Sequence, residues 1–432
     1  MSDFALAGWL ARRRIHYAWV MAAVTFLTML MTAAALGLPG ALLPALGKEF
    51  GWDVAQVSSP LALRFVLYGL LGPFSAILIE RIGLRRVIVL ALTLVGGSML
   101  LATRVTTLGG LFLVWGLMLG GGSGLTALVL GAVVANRWFT AHRGLVIGML
   151  TASSATGQLV FLPIAAWLIE HHGWRMAVLP VAIGCAAVGA LALLLVRDRP
   201  ADVGLLPFGE SGAPAALVRA APPPFTAPLT ALRDAAATRT FWLLAGSFFI
   251  CGLSTNGLVQ THFISLCGDY GLGPVPAASV LALMGAFDFV GTIASGWLSD
   301  RWDSRKLLCW YYALRGLSLF WLPHSGFGFE GLWLFAMFYG LDWIATVPPT
   351  VKLAANAFGR DKVGLVFGWI FAAHQLGAAV AAYGAGFVRS VVFSYTPALY
   401  VAGAACLIAA VGVLAIRQGL AARFRPLAAT AP

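Results

Sequence analysis

Charge is scarce in this chain: Asp, Glu, Lys and Arg make up 10% of its 432 residues, where soluble domains carry about 25%. That scarcity excludes a water-solvated globule. The 60% hydrophobic content excludes a disordered chain, which requires low hydrophobicity. Cysteine is sparse too. The five cysteines show no paired or metal-type spacing, which excludes a disulfide scaffold; Cys185, Cys251 and Cys406 lie inside apolar runs and read as small core residues. No nucleophile–base set and no metal-spaced His/Cys cluster occurs, so the sequence offers no enzyme active site and calls for no cofactor. Acidic residues are outnumbered, 16 against 28 basic, and a net charge of +12 raises nucleic acid as a partner. In so apolar a chain, basic residues instead flank membrane spans, and their positions decide the matter.

Long apolar runs are what the chain has in abundance. A helix needs about 20 such residues to cross hydrocarbon. Twelve runs qualify: Tyr17–Ala45, Ala55–Ile79, Leu84–Thr103, Leu108–Val134, Gly144–Ile169, Trp174–Val196, Phe241–Leu266, Val275–Ser299, Lys306–Pro323, Gly331–Ala355, Val363–Arg389 and Tyr395–Ile416. The first has no small-residue cleavage pattern and is too long for a signal peptide, so it reads as a retained helix. Counted loop by loop, 22 of the 28 basic residues fall on one side of the membrane. Lys48, Arg104, Arg175 and Arg389 fall on the other, and two arginines lie inside spans. This asymmetry predicts a multi-pass protein of a bacterial inner membrane with both termini cytoplasmic. It explains the basic balance through the lipid bilayer, with no nucleic-acid partner. The stretch 197–240, rich in Pro and Ala and holding Pro222-Pro223-Pro224, reads as a cytoplasmic linker between a half at 1–196 and a half at 241–432.

The halves share a repeat. The second run ends in Ala76-Ile77-Leu78-Ile79-Glu80-Arg81-Ile82-Gly83-Leu84-Arg85-Arg86, and the eighth in Gly296-Trp297-Leu298-Ser299-Asp300-Arg301-Trp302-Asp303-Ser304-Arg305-Lys306. An acid, an arginine and a basic pair recur in register 220 residues apart, as in two halves related by duplication. Positive-inside charge alone accounts for the basic residues but not for an acid in the same place twice.

These segments resemble the signature G-x-x-x-D-R-x-G-x-R-R/K of the major facilitator superfamily, with departures at Ala76, Glu80 and Asp303. The resemblance implies an all-α membrane fold of twelve helices in two pseudo-symmetric six-helix bundles. It also implies gating by Glu80, Arg81, Arg85, Arg86, Asp300, Arg301 and Arg305, which in that family lock the cytoplasmic ends of the halves. Three shorter segments, Glu49-Phe50-Gly51-Trp52, Asn136-Arg137-Trp138-Phe139 and Arg199-Pro200-Ala201-Asp202-Val203-Gly204-Leu205, resemble the bacterial monocarboxylate and oxalate/formate branch. One position departs from the animal monocarboxylate carriers: Asp288 is followed one turn later by Thr292, where those carriers place an arginine.

Ionisable residues inside a span are costly and mark function. At about 1.5 Å per residue from the cytoplasmic ends, Asp288, Arg315, Asp342 and His374 lie roughly 14–18 Å deep, all in the second half. One arginine cannot compensate two aspartates in a dry core. Either His374 is protonated or one of Asp288 and Asp342 takes up a proton readily, because burial disfavours the charged form. Asp342 leads as proton carrier, on a stripe Tyr339, Asp342, Thr346, Pro349 along the tenth run that Pro348-Pro349 interrupts. Asp288 and Arg315 also fit a structural ion pair between neighbouring helices, and His374 also fits plain packing on a small-residue face with Gly377, Ala381 and Gly384. His262 reads as interfacial.

In the first half only Arg64 is charged within a span. It is the leading site for an organic anion, with snorkelling toward the outer interface as the alternative. Thr25, Thr28 and Thr32 share a face of the first run, Ser154 and Gln158 of the fifth, and Asn256 and Gln260 of the seventh. They read as substrate contacts or as interhelical hydrogen bonds. The run Gly120-Gly121-Gly122-Ser123-Gly124 lacks the Lys-Ser/Thr of a phosphate loop and reads as close helix packing. The expected function is a monomeric secondary transporter taking a small organic anion, a monocarboxylate by resemblance, together with protons. Export of an amphipathic drug-like compound is the rival. The fifth run lacks the antiporter signature of many exporters, which weighs slightly against it. A non-transporting receptor ranks below both, because linker and tail offer no output domain.

Overall fold

Apolar sequence in hydrocarbon must satisfy its backbone internally, and this chain does so with helices. The computed structural model describes residues 12–13, 15–126, 128–210, 224–359 and 362–417. The helices are α1 (Tyr17–Phe50), α2 (Val54–Ile82), α3 (Leu84–Ala102), α4 (Leu108–Trp138), α5 (Arg143–His172), α6 (Trp174–Leu195) and a short α7 (Ala227–Ala236). They continue as α8 (Arg239–Asp269), α9 (Pro274–Arg301), α10 (Ser304–Trp321), α11 (Phe329–Asp342), α12 (Val347–Phe358), α13 (Val363–Val392) and α14 (Thr396–Leu414). Among the described residues nine of these are long and apolar enough to cross a membrane.

Three expected spans fall outside the nine, two of them for visible reasons. The 18 residues of α10 contain Arg305, Lys306 and Arg315, which dilute its apolar character. The tenth run is not one helix: α11 stops at Asp342 and α12 starts at Val347, with Pro348 and Pro349 in the first turn of α12. Pro has no N–H to donate and its ring clashes with the preceding turn, so two in succession break the helix. α5 has the length, at 30 residues.

Local chemistry sets the boundaries. Asp53 and Gln56 form a reciprocal capping box at the start of α2: Gln56 N donates to Asp53 Oδ1 at 2.7 Å and Asp53 N donates to Gln56 Oε1 at 3.0 Å. α1 ends at Gly51, whose φ of 69° is left-handed and suits glycine. Two helices contain π-helical stretches, Phe112–Leu119 in α4 and Leu253–Gln260 in α8. Such stretches favour functional positions, and the second carries Asn256 and Gln260.

One large apolar cluster gathers Tyr17, Leu42, Leu92, Trp115, Trp138 and Val188 from α1 to α6. Others join α8 to α14, one of them reaching Ala41, Leu162 and Ala166 of α1 and α5. α1 packs on α5 and α8, α5 on α9, and α2 along α13, where Phe65 meets Ala378, Ala379 and Ala382. The glycine run in α4 does what close packing requires: a Cβ on Gly120 would fall 2.9 Å from the backbone of Arg64, and one on Gly124 would fall 2.7 Å from Leu71 Cβ.

Candidate functional site

The break between α11 and α12 frees backbone groups in the middle of the protein, and buried side chains from α9 and α10 satisfy them. Arg315 donates from Nη2 to the carbonyls of Asp342 at 2.6 Å and Trp343 at 3.2 Å. Its Nε donates to Asp342 Oδ2 at 2.7 Å, and its Nη1 donates to Cys251 Sγ at 2.9 Å. From α9, Asp288 Oδ1 accepts the Ile344 N–H at 2.8 Å and the Thr292 hydroxyl at 3.1 Å. Ser295 donates to Ala345 O at 2.5 Å. One arginine therefore holds the carbonyl side of the break and one aspartate holds the amide side.

This geometry corrects the expected pairing. The salt bridge of Arg315 is with Asp342, not with Asp288. Asp288 is 4% exposed and forms no ion pair among the described residues. Asp342 Oδ1 is buried without a hydrogen-bond partner. The rest of the polar stripe turns inward as well: Tyr339 donates to Ser254 O at 2.7 Å, and the Thr346 hydroxyl lies 3.4 Å from Cys251 Sγ.

Arg64 stands apart from this cluster. It is 2% exposed, which is not the position of a snorkelling side chain, and it lies ten residues from the N-terminal end of α2. Its Nη1 donates to Leu36 O at 2.8 Å, its guanidinium sits 4.3 Å from the centre of the Phe65 ring, and its Nε is buried without a partner. No carboxylate pairs with it among the described residues. Tyr68 lies one turn on along α2.

Other expected sites resolve differently. Thr28 and Thr32 bond back to Val24 O and Thr28 O, and Thr32 also lies 3.1 Å from the Thr126 hydroxyl. These are packing bonds within α1 and to α4. Thr25 Oγ1 is buried and unpartnered. Asn256 is half-buried and Gln260 buried in the π-helical stretch. The side chains of Ser154 and Gln158 lie outside the described residues. His374 is buried, stacked on Phe371 at 5.8 Å and packed on Phe248 at 5.0 Å, and its Nδ1 has no partner. His262 is not interfacial: it is 1% exposed, with Nε2 2.8 Å from Ala382 O and Nδ1 3.3 Å from the Tyr395 hydroxyl.

At the basic end, Glu80 bonds Arg137 of α4, and Arg199 approaches it at 3.9 Å. Both partners precede α7 in the chain, so in this conformation Glu80 is tied to α4 and to the stretch after α6. Arg85 offers only its backbone N–H, to Asp198 at 3.2 Å, and Arg86 is exposed. Arg81 lies over Phe225 at 4.1 Å. In the second copy Asp300 has no ion-pair partner among the described residues, Arg301 lies over Trp297 at 4.0 Å, and Arg305 pairs with Asp303 at 2.7 Å. The motif segments meet one another: Arg137 links Glu80 to Asp198 O, and Glu49 accepts from both Trp174 and Arg175 at the opposite end of the helices.

Sequence reasoning overlooked Tyr68, Phe371 and Gln375. Gln375 is 1% exposed, packs against Gly69 of α2, and has an unpartnered Oε1. A glutamine inside an apolar run was the available signal. Among the described residues no group of three His, Cys, Asp or Glu is placed to hold a metal ion.

Comparison with known proteins agrees with this architecture. The chain is 28% identical over 404 residues to monocarboxylate transporter 13 of Bos taurus, covering 92% of this chain and 88% of the relative. It is 27% identical over 405 residues to monocarboxylate transporter 11 of Homo sapiens, covering 90% and 81%. It is 25% identical over 365 residues to the uncharacterized MFS-type transporter YcxA of Bacillus subtilis (strain 168), covering 81% and 83%. The family description of the Major Facilitator Superfamily matches residues 24–382. A chain of stacked apolar helices with buried charge and a match over most of its length is a multi-pass membrane transporter rather than an enzyme, and it belongs to the Major Facilitator Superfamily.

Proposed function

We propose that the chain carries a small monocarboxylate together with a proton across a bacterial inner membrane by alternating access, working as a monomer. In this reading it forms two pseudo-symmetric six-helix bundles, 1–196 and 241–432, joined by the linker 197–240, with both termini cytoplasmic. α5, α10 and the interrupted α11–α12 pair supply the three spans beyond the nine apolar helices. The monocarboxylate part is supported by likeness to the monocarboxylate transporters, together with a buried arginine, Arg64, that has no acid beside it.

The single observation that carries proton coupling is that two buried carboxylates, Asp288 and Asp342, and one buried guanidinium, Arg315, converge on the break between α11 and α12. A dry core cannot keep the surplus negative charge, so the pair holds a proton between them. Arg315 grips Asp342 directly, which leaves Asp288 as the carrier in preference to Asp342. Asp288 also holds the Ile344 N–H at the helix break. Gaining or losing a proton there changes the grip on the α11–α12 hinge, which links proton state to helix movement.

In this scheme Arg64 orients the substrate carboxylate, and Asn256, Gln260 and Gln158 offer neutral contacts. His374 modulates the charge balance near Arg315. Tyr339, Thr28 and Thr32 serve packing. Glu80, Arg81, Arg85, Arg86, Asp300, Arg301 and Arg305 govern opening of the cytoplasmic end. The test is uptake by proteoliposomes of a panel of labelled monocarboxylates under an inward proton gradient. Accumulation that collapses with a protonophore is the expected result; a proton gradient that drives none of the panel overturns the reading.

A further inference from the structure

We propose that the substrate is a flat, aromatic monocarboxylate with a polar group at the end remote from its carboxylate, seated along the junction of α2 and α13. The inference rests on the monocarboxylate reading above and narrows it.

Three features follow one another along this junction. The first is a cation at the α2 side: Arg64 is fixed through Nη1 to Leu36 O of α1, while its buried Nε has no partner among the described residues. The second is an aromatic surface. Tyr68, one turn beyond Arg64, meets Phe371 of α13 edge to face at 5.5 Å and 87°. Phe371 stacks parallel to His374 at 5.8 Å and 8°, and His374 packs on Phe248 at 5.0 Å. The rings of Tyr68 and Phe371 are half-buried, whereas Arg64, His374 and Gln375 are buried. The third is Gln375 Oε1, which has no hydrogen-bond partner among the described residues and lies four residues beyond Phe371, on the face that meets Gly69 of α2; His374 packs instead on Phe248 and Gly252 of α8.

Gly69 touches Gln375 Cβ, which fixes the register between the helices. From Arg64 to Gly69 is five residues, about 7.5 Å along α2. That span suits a para-substituted benzoate better than acetate or lactate.

Each feature has a use for such a ligand. Arg64 Nε supplies a charge-assisted hydrogen bond to the carboxylate. The half-buried ring faces offer stacking, which favours an aromatic over a saturated ring of similar size. The amide oxygen of Gln375 sits in a buried place with no partner among the described residues, where an unmade hydrogen bond is expensive, and a remote hydroxyl or amino group answers it. A two- or three-carbon acid covers only the first of these features.

The test uses purified full-length protein in detergent. Binding of acetate, L-lactate, cyclohexanecarboxylate, benzoate and 4-hydroxybenzoate is followed by thermal shift and by intrinsic tryptophan fluorescence. The expected order of affinity is 4-hydroxybenzoate, benzoate, cyclohexanecarboxylate, then the two short acids, with about a tenfold step between aromatic and short acids. Phe371→Leu should weaken benzoate several-fold and leave L-lactate unchanged. Gln375→Leu should erase the preference for 4-hydroxybenzoate over benzoate. L-lactate binding as tightly as 4-hydroxybenzoate overturns the inference, as does Phe371→Leu weakening all five acids equally. If lactate binds and the aromatic acids do not, the monocarboxylate reading stands and only this narrowing falls. If no acid binds, both fall together. The ligand series on unaltered protein decides the matter even where a variant fails to fold.

Discussion

Arg315 donates from Nε to Asp342 Oδ2 at 2.7 Å, and the same guanidinium closes on the carbonyls of Asp342 and Trp343 where the helix breaks. The pair is therefore both an ion pair and the seal on an interrupted helix. Removing only the acid leaves a buried guanidinium without its counter-charge, a change that typically destabilises by about 3–5 kcal/mol. Asp342→Asn is thus expected to lower the midpoint of thermal unfolding strongly in detergent. The paired replacement Arg315→Met with Asp342→Leu is expected to recover more than half of that loss, because a buried ion pair exchanged for apolar bulk is often neutral. A double variant no more stable than the single one contradicts this account.

Asp288 gives a separable result. It accepts hydrogen bonds from Ile344 N and Thr292 and forms no ion pair among the described residues, so the neutral isostere strands no cation there. Asp288→Asn is expected to fold, to keep substrate exchange across the membrane and to lose accumulation driven by a proton gradient. Counterflow and gradient-driven uptake in the same vesicles check this. Retained accumulation removes Asp288 as the carrier and returns Asp342 to that place.

The contrast between these acids shows what the sequence could disclose. Position along a run is legible, because rise per residue is fixed, and Asp288, Arg315 and Asp342 do lie buried together around the helix break. The interruption before Pro348-Pro349 was legible for the same local reason. Which acid meets Arg315 was not, because that depends on how α9, α10 and α11 are rotated against one another. His262 was misplaced for a related reason: its depth suggested an interface, but Ala382 and Tyr395 from distant helices close over it. The π-helical stretch Leu253–Gln260 also changes the angular spacing on which face assignments depend. Glu80 was expected to tie the two halves, and the contact to Arg137 is visible only once α4 is laid beside α2.

Arg64 is held by a backbone carbonyl and an aromatic ring rather than by an acid. Arg64→Gln keeps a hydrogen-bond donor for Leu36 O and removes the charge. A hydrogen bond to a charged group contributes about 1.5–3 kcal/mol. The half-saturation concentration for anionic substrate is therefore expected to rise roughly 10- to 100-fold. Stability should change little, since no buried carboxylate loses a partner. Unchanged half-saturation in initial-rate uptake assays would show that the guanidinium only braces α1 against α2.

α7 and the residue just ahead of it touch both α2 and α13, and that arrangement predicts a local effect. Trp369 of α13 meets Phe74 of α2 at 6.0 Å and donates from Nε1 to Pro228 O of α7 at 2.8 Å. Arg81 of the signature loop lies over Phe225, just ahead of α7. Lys362 pairs with Asp234 at 3.2 Å on the same helix, but both side chains are 54% exposed, so that contact contributes little. The Trp369 hydrogen bond is then the firmer hold on α7. Trp369→Phe keeps a ring against Phe74 and deletes the donor, at about 1 kcal/mol for a neutral hydrogen bond. The docked fraction of α7 should fall about fivefold relative to the released form. Limited trypsin digestion at Arg233 reads this directly: cleavage should quicken by several-fold in Trp369→Phe and barely at all in Lys362→Gln. Equal acceleration by both variants would mean that α7 is held by its surface charges, and Trp369 would then report only on the contact between α2 and α13.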